Sequence, residues 1–294
     1  MNQALIIGAS GLVGNYLHKL APADYRVSGT FRNFPLPGLL KLEITDKNEV
    51  KSLILGLKPQ TVFLPAAFTN VDICEDDPGL CHKVNVESIR NIADILSVTG
   101  AMPVYFSTDY IFDGSSGPYS EVASPCPLGT YGRSKLEAEE AIKRNLKNYL
   151  IIRTTCVYGW EHQEKNFVVN LIKKAKSGKI IEVPSDQITT PTYAGHLACL
   201  TWGLVSGGAQ GTYNVAGATL MSRFDFALLA AEVFGLDKNL IKPITTQEMS
   251  RKARRPLNAG LKITKISEEL KRGIPGAEEG LKEMKKEMGN GRTL

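Results

Sequence analysis

Tyr131-Gly132-Arg133-Ser134-Lys135 sets a phenol and an ammonium at positions i and i+4, which share one face of a helix. A phenol with an unperturbed pKa of about 10 is a poor acid–base catalyst at neutral pH. A neighbouring ammonium favours the phenolate and brings the pKa toward the working range. The turn Ser107-Thr108-Asp109 lies earlier in the chain, and its hydroxyls could bind the carbonyl oxygen that such a phenol serves. The chemistry these residue types suit is proton delivery to a carbonyl.

Gly8-Ala9-Ser10-Gly11-Leu12-Val13-Gly14 places three glycines at G-x-x-G-x-x-G spacing near the N-terminus. The first glycine allows a tight turn, the second a close approach of backbone to pyrophosphate, and the third close helix packing, with helix N-terminal amides facing the phosphates. Gly8, Ser10, Gly11, Leu12, Val13 and Gly14 are therefore the expected dinucleotide cradle. Discrimination between NAD and NADP falls to the end of the second strand, Ser28-Gly29-Thr30-Phe31-Arg32-Asn33. That segment holds no carboxylate for the ribose hydroxyls of NAD, whereas Arg32 offers a planar cation for the extra phosphate of NADP. NADPH is the expected cofactor, with NADH still permitted.

These residues need elements to hold them. Short aliphatic runs at 4–7, 25–30, 39–44, 61–64, 104–107 and 149–154 read as strands. Between them lie helical patterns at 12–21, 46–57, 79–99 and 129–147, the last beginning near Leu128 and carrying Tyr131 and Lys135. The alternation predicts βαβ units and an α/β, Rossmann-type, doubly wound parallel sheet. Beyond residue 155 the pattern loosens, with helices expected at 166–177, 193–205, 222–234 and 278–288 and a strand at 211–215. This divides the chain into a nucleotide-binding domain over 1–155, rejoined by about 190–216, and a smaller substrate-binding lobe from 156–189 and 217–294.

Composition excludes several classes. With 43% hydrophobic and 22% charged residues the chain is neither disordered nor membrane-spanning, and the N-terminus enters the first strand without a leader, so a cytoplasmic protein is expected. Five cysteines without a C-x-x-C pair and four histidines without ligand spacing indicate neither a disulfide framework nor a metal site. The net charge of +5 suits anionic small molecules. The basic run Arg251-Lys252-Ala253-Arg254-Arg255 lacks interleaved aromatics and any nucleic-acid motif, so neither nucleic acid nor membrane is an expected partner.

The glycine cradle, the Ser/Thr turn and Tyr-x-x-x-Lys, in this order, resemble the extended short-chain dehydrogenase/reductase family. Ser107-Thr108-Asp109-Tyr110-Ile111-Phe112-Asp113-Gly114, Pro118-Tyr119 and Pro127-Leu128-Gly129-Thr130-Tyr131-Gly132 are similar to its dTDP-4-dehydrorhamnose reductase branch. So are Ala66-Ala67-Phe68-Thr69-Asn70-Val71-Asp72, Val84-Asn85-Val86, Asp186-Gln187 with Pro191-Thr192, and Arg255-Pro256. The resemblance implies hydride transfer from NADPH to the 4-keto carbon of a nucleotide-linked 6-deoxyhexose. It makes Tyr131 the proton donor and Thr108 a hydrogen-bond partner of the same oxygen. Lys135 would hold the nicotinamide ribose and depress the tyrosine pKa, and Ala66 and Ala67 would line the cofactor. It also implies that Thr108, Asp109, Cys156, Asn166, Gln187 and Arg255 face the nucleotide-sugar substrate, with Arg254 or Arg255 near its diphosphate. Asn166 reads equally well as a helix N-cap. The oligomeric state, a homodimer included, and a magnesium requirement are left open.

Two departures shape the reading. Sugar 4,6-dehydratases resemble the chain but carry Thr-Asp-Glu where it has Thr108-Asp109-Tyr110, which removes the elimination carboxylate, and an epimerase would need the missing ribose carboxylate to retain NAD. Arg153-Thr154-Thr155-Cys156-Val157-Tyr158 carries a thiol where the reductases have a tryptophan near the sugar. The regulatory subunit of methionine adenosyltransferase, which has this fold and binds NADP without catalysing a reduction, is the alternative from another class.

Overall fold

Four residues in a row at Thr61–Leu64 and five at Leu150–Thr154 are fully buried, the mark of strands covered on both faces. A computed structural model describes residues 1–289 of the chain. Its strands in chain order are β1 (Asn2–Ile6), β2 (Tyr25–Phe31), β3 (Leu40–Lys41), β4 (Thr61–Leu64), β5 (Met102–Thr108), β6 (Leu150–Thr154), β7 (Val157–Tyr158), β8 (Ile181–Pro184), β9 (Ile188–Thr189), β10 (Thr192–Tyr193), β11 (Gly211–Asn214), β12 (Met221–Ser222) and β13 (Ile241–Ile244). Seven of them form a sheet in the order β11-β6-β5-β4-β1-β2-β3, with every pair parallel. The strand order reverses between β1 and β4, and the crevice at their carboxyl ends is where open α/β sheets bind ligands.

The helices are α1 (Leu12–Lys19), α2 (Lys47–Leu57), α3 (Val71–Asp76), α4 (Pro78–His82), α5 (Ser88–Thr99), α6 (Thr130–Asn145), α7 (Phe167–Lys176), α8 (Ala194–Ser206), α9 (Arg223–Phe234), α10 (Thr264–Leu270) and α11 (Ala277–Gly289). Because strand side chains alternate, β1 sends Ala4 and Ile6 to one face and Leu5 to the other, where Ile7 just past the strand joins it. The first face packs on Tyr16 and Leu17 of α1 and Leu197 and Trp202 of α8. The second packs on Val50 and Ile54 of α2, Ile89, Ile92 and Leu96 of α5, and Ala138 and Ile142 of α6. The first cluster continues into Val168, Leu171, Phe226 and Ile241 of the second half, so the sheet and the later elements share one core. Residues 290–294, the end of the expected lobe, lie outside the described residues.

Three local expectations change. The pattern at 79–99 is not one helix: a π turn at Lys83–Glu87 separates α4 from α5 and turns Asn85 inward. Such turns concentrate at functional sites. The strand expected at 39–44 shortens to Leu40–Lys41, because Glu43 and Thr45 turn their amides to the carboxylates of Glu49 and Glu43. Helix α6 begins at Thr130 rather than near Leu128, since the Glu75 carboxylate of α3 accepts from the Thr130 amide at 2.6 Å and its hydroxyl at 2.8 Å. That cap, and the bidentate pair of Arg153 on β6 with Glu139 on α6 at 2.7 and 3.0 Å, fix the helix that carries Tyr131 and Lys135.

Candidate active site

The turn after β1 supplies the backbone shape of the cradle. Gly8 has φ +100°, and a Cβ there would lie 2.9 Å from the Ala66 Cβ. A Cβ on Gly14 would lie 2.2 Å from the Gly8 carbonyl oxygen, so α1 crosses the turn with no room for a side chain. The Gly8 amide donates to Thr30 Oγ1 of β2 at 3.1 Å, which holds the turn against the sheet. Gly11 is the N-cap of α1 and provides no side-chain cap, so the first-turn amides at Leu12 and Val13 face the crevice without a side-chain acceptor. Asn15 Nδ2, buried behind them, has no hydrogen-bond partner. Ser10 is buried, and Ala66 and Ala67 follow β4 at the opposite lip.

Arg32 stands at the end of β2, half-exposed, with its Nε 2.8 Å from Glu43 Oε2. Both line a cavity of about 900 Å³ together with Asn33 and Lys41. The absence of a carboxylate at the end of β2 is thus offset by Glu43, two residues past β3, which the linear segment could not reveal. Burial works to raise the Glu43 pKa, but hydrogen bonds from Thr45 and the Arg32 charge outweigh it and hold the carboxyl below its ordinary range.

Thr108, at the end of β5, sits among the residues expected to react. Its hydroxyl is near enough to the Tyr131 phenol to work against the rise in that group's pKa, and it donates to Asp109 Oδ1 at 3.0 Å. Thr155, just past β6, donates to Asp109 Oδ2 at 2.6 Å and meets Thr189 Oγ1 at 2.8 Å. Tyr110 packs edge-on to Tyr131 with ring centroids 5.8 Å apart. Burial, then the Asp109 carboxylate, push the Tyr131 pKa above its ordinary value, against a smaller lowering from Thr108. The sequence-based expectation of a phenol depressed by Lys135 is reversed in this structure. The physical reason is burial of both groups: the Lys135 Nζ lies over the Tyr105 ring at 4.1 Å, and burial lowers its own pKa to about 7. A phenol held protonated is in the form needed to give a proton.

Burial raises Asp109 to about 6, opposed by the Thr155 and Thr108 hydrogen bonds and by Arg223. A carboxyl whose pKa rises on folding contributes stability that is complete below its ordinary 3.8 and is lost as pH climbs through about 6. Two units correspond to roughly 3 kcal/mol. Asp109→Asn should therefore gain on the wild type by about that amount between pH 4 and pH 8, read from urea midpoints at each pH. An unchanged difference across that range would show that Asp109 titrates normally.

The residues expected on the substrate side fall into distinct structural roles. Cys156 has φ +42°, a left-handed conformation at a non-glycine position, and burial raises its pKa, so the thiol stays neutral. Asn166 caps α7, accepting from the Val169 amide at 3.3 Å and donating to Gly159 O at 2.8 Å and Glu161 Oε1 at 2.9 Å, so its side chain is engaged within its own loop. Gln187 Nε2 donates to Thr246 Oγ1 at 2.9 Å, and Asp186 takes the Thr246 amide, which folds that loop over the cleft. Arg255 forms a bidentate pair with Asp72 of α3, at 2.7 Å on each arm. That pairing holds the Asp72 carboxyl down at about 2. Gln187 and Arg255 line a second cavity, of about 290 Å³, with Tyr110, Phe167, Arg223 and Arg251.

Three participants were not evident in the sequence. Glu43 and Arg223 reach the site only through strand pairing. Asn85 ties the loop after β4 to α6, donating to Phe68 O at 3.0 Å and Ser134 Oγ at 3.1 Å and accepting from the Phe68 amide at 2.8 Å. Its signal was the Val84-Asn85-Val86 match, which had no geometry attached.

Comparison with known proteins follows the same outline. A family model described as RmlD substrate binding domain matches residues 1–290. A dTDP-4-dehydrorhamnose reductase of Aggregatibacter actinomycetemcomitans is 32% identical over 280 residues, covering 91% of this chain and 93% of that one. Methionine adenosyltransferase 2 subunit beta of Xenopus laevis is 31% identical over 272 residues, covering 90% and 81%. The crystal structure of a dTDP-4-dehydrorhamnose reductase of Bacillus anthracis in complex with NADP superposes with a TM-score of 0.90 at 30% identity, covering 98% of this chain and all of that one.

Proposed function

The chain belongs to the RmlD substrate binding domain family, and from that membership we infer that it is an NAD(P)H-dependent oxidoreductase of the dTDP-4-dehydrorhamnose reductase type. It reduces the 4-keto group of a nucleotide-linked 6-deoxyhexose. The observation that carries the chemistry is the Tyr131 phenol, kept protonated by burial near Thr108 at the carboxyl end of β5.

The cradle fits a dinucleotide: no side chain fits at Gly14, and the α1 amides lack a cap. Gly8, Ser10, Gly11, Leu12, Val13 and Gly14 would hold the pyrophosphate, Arg32 the adenosine phosphate, Ala66 and Ala67 the edge of the cofactor, and Lys135 the nicotinamide ribose. Bound NADPH supplies the hydride. Tyr131 gives its proton to the oxygen of the ketone as negative charge develops there. Asp109, held by Thr155, fixes Thr108, and Tyr110 packs edge-on against the phenol ring. Tyr110 leaves Asp109 without a second carboxylate for water elimination, which disfavours a dehydratase.

We place nucleotide binding at 1–155 with the return at 190–216, and the substrate lobe at 156–189 and 217–294. Cys156, Gln187 and Asn166 belong to the substrate side, Asn166 as the cap that shapes its loop. Among the described residues no helix is long and apolar enough to cross a membrane. We place the protein in the cytoplasm and leave its oligomeric state, a homodimer included, to be measured.

The direct test is loss of reduced-nicotinamide absorbance with a panel of 4-keto sugar nucleotides. No oxidation with any of them, alongside tight NADPH binding, would favour the regulatory role of the methionine adenosyltransferase relative. Cofactor choice tests Arg32 and Glu43 together. Because Glu43 neutralises the cation meant for a phosphate, Glu43→Gln should raise the NADPH-to-NADH ratio of kcat/KM by about 2–5-fold, the scale of one partly exposed ion pair. A ratio that stays level or falls would show that Glu43 does not compete for Arg32.

A further inference from the structure

The cavity beside Tyr110 gathers the guanidiniums of Arg223, Arg251 and Arg255, and their charges are not equally free. Arg255 donates both arms to Asp72 and a further bond to Ala253 O at 2.5 Å. Arg251 leans on the same carboxylate at 3.7 Å. Among the described residues no carboxylate lies within ion-pair distance of Arg223, and its hydrogen-bonding partner is the Cys156 thiol at 3.6 Å, a weak acceptor.

Arg223 is nonetheless well placed. Antiparallel pairing of β9 with β12 sets Ser222 opposite Ile188, and the Arg223 amide donates to Gln187 O at 2.9 Å. The guanidinium lies over the Phe167 ring at 4.6 Å, which fixes its plane. From it a set of contacts leads toward the end of β5: Cys156, then Thr155 next in the chain, Asp109 at 2.6 Å and Thr108 at 3.0 Å. A donor-only side chain with most of its N–H groups unspent, in a cleft, is suited to a two-oxygen anion.

We propose that Arg223, rather than Arg255, is the residue that binds the substrate's oxyanion in this cleft. The anion is either a phosphate of the nucleotide diphosphate or a carboxylate at C6 of the hexose, and the second would make the sugar a uronate in place of the 6-deoxyhexose proposed above. The assignment rests on the nucleotide-sugar reading above, but its test needs no turnover. Calorimetric titration of wild type, Arg223→Gln and Arg223→Lys with dTDP, dTDP-glucuronate and thymidine separates the sources, with NADPH affinity and thermal midpoint as controls for folding. If the phosphate is held, Arg223→Gln weakens dTDP and dTDP-glucuronate alike by about 10–100-fold, the scale of a lost charge-assisted pair, and leaves thymidine unchanged. If the hexose carboxylate is held, only dTDP-glucuronate weakens. In either case Arg223→Lys recovers part of the loss, since it restores charge without the planar fork. Affinities unchanged in both variants, or a wild type that binds neither anionic probe, overturn the proposal. NADPH oxidation by the wild type on 4-keto sugar nucleotides, measured separately, tells failure of this assignment from failure of the reductase reading.

Discussion

Replacing Tyr131 with phenylalanine should lower turnover on a 4-keto sugar nucleotide by roughly 10²–10⁴-fold while NADPH binds within about threefold of wild type. The ring keeps its packing against Cys74, Cys81 and Tyr110, so the loss is confined to the hydroxyl. Thr108 retains Asp109 as a partner, so no buried hydroxyl is orphaned by the change. What disappears is the proton that neutralises the developing alkoxide, equivalent to about 3–5 kcal/mol at the barrier. Single-turnover rates, with NADPH affinity from nucleotide fluorescence, separate the two quantities. Turnover within tenfold of wild type would remove Tyr131 from the chemistry.

Gly14→Ala should cost both stability and NADPH affinity, because the added Cβ meets atoms that cannot rotate aside. It would lie 2.2 Å from the Gly8 oxygen and 2.8 Å from the Ala9 Cα. Relief requires moving α1 off the turn, which also moves the amides that face the pyrophosphate. A loss of about 1–3 kcal/mol in stability is the scale for such overpacking, and an affinity loss of about 100-fold corresponds to roughly 3 kcal/mol. Gly11→Ala separates the two effects, since its Cβ would approach no atom closer than 3.5 Å. That variant should melt with the wild type yet bind NADPH weakly, as the methyl group blocks approach of the phosphate. Thermal melts with NADPH titrations check both variants, and a Gly11→Ala protein with wild-type affinity would contradict the cradle.

The readable parts of the sequence were those encoded by local pattern. The aliphatic runs that became β4, β5 and β6 were legible because strands buried on both faces read as continuous apolar segments, and β1 was legible from its buried Ala4-Leu5-Ile6 end. The later helices at Phe167–Lys176, Ala194–Ser206 and Arg223–Phe234 showed the helical period. Boundaries failed where a distant side chain set them, as when Glu75 capped α6 at Thr130, or where the backbone departed from the regular repeat, as at the π turn around Asn85. Asn166 illustrates an ambiguity that spacing alone leaves open. Only the folded loop shows its amide committed to Gly159 and Glu161.

By itself the sequence determined the family, the parallel α/β sheet, the glycine turn at its first strand and the one-turn spacing of Tyr131 and Lys135, because each is a relation between residues close along the chain. Tertiary structure decided the electrostatics: Arg32 meets Glu43, Arg255 is committed to Asp72, and Arg223 arrives beside Cys156 across 67 residues of chain. It also reversed the expected direction of the Tyr131 pKa and raised that of Asp109. Desolvation and charge pairing depend on what packs around a group in three dimensions, and that neighbourhood is assembled from segments whose proximity no local pattern records.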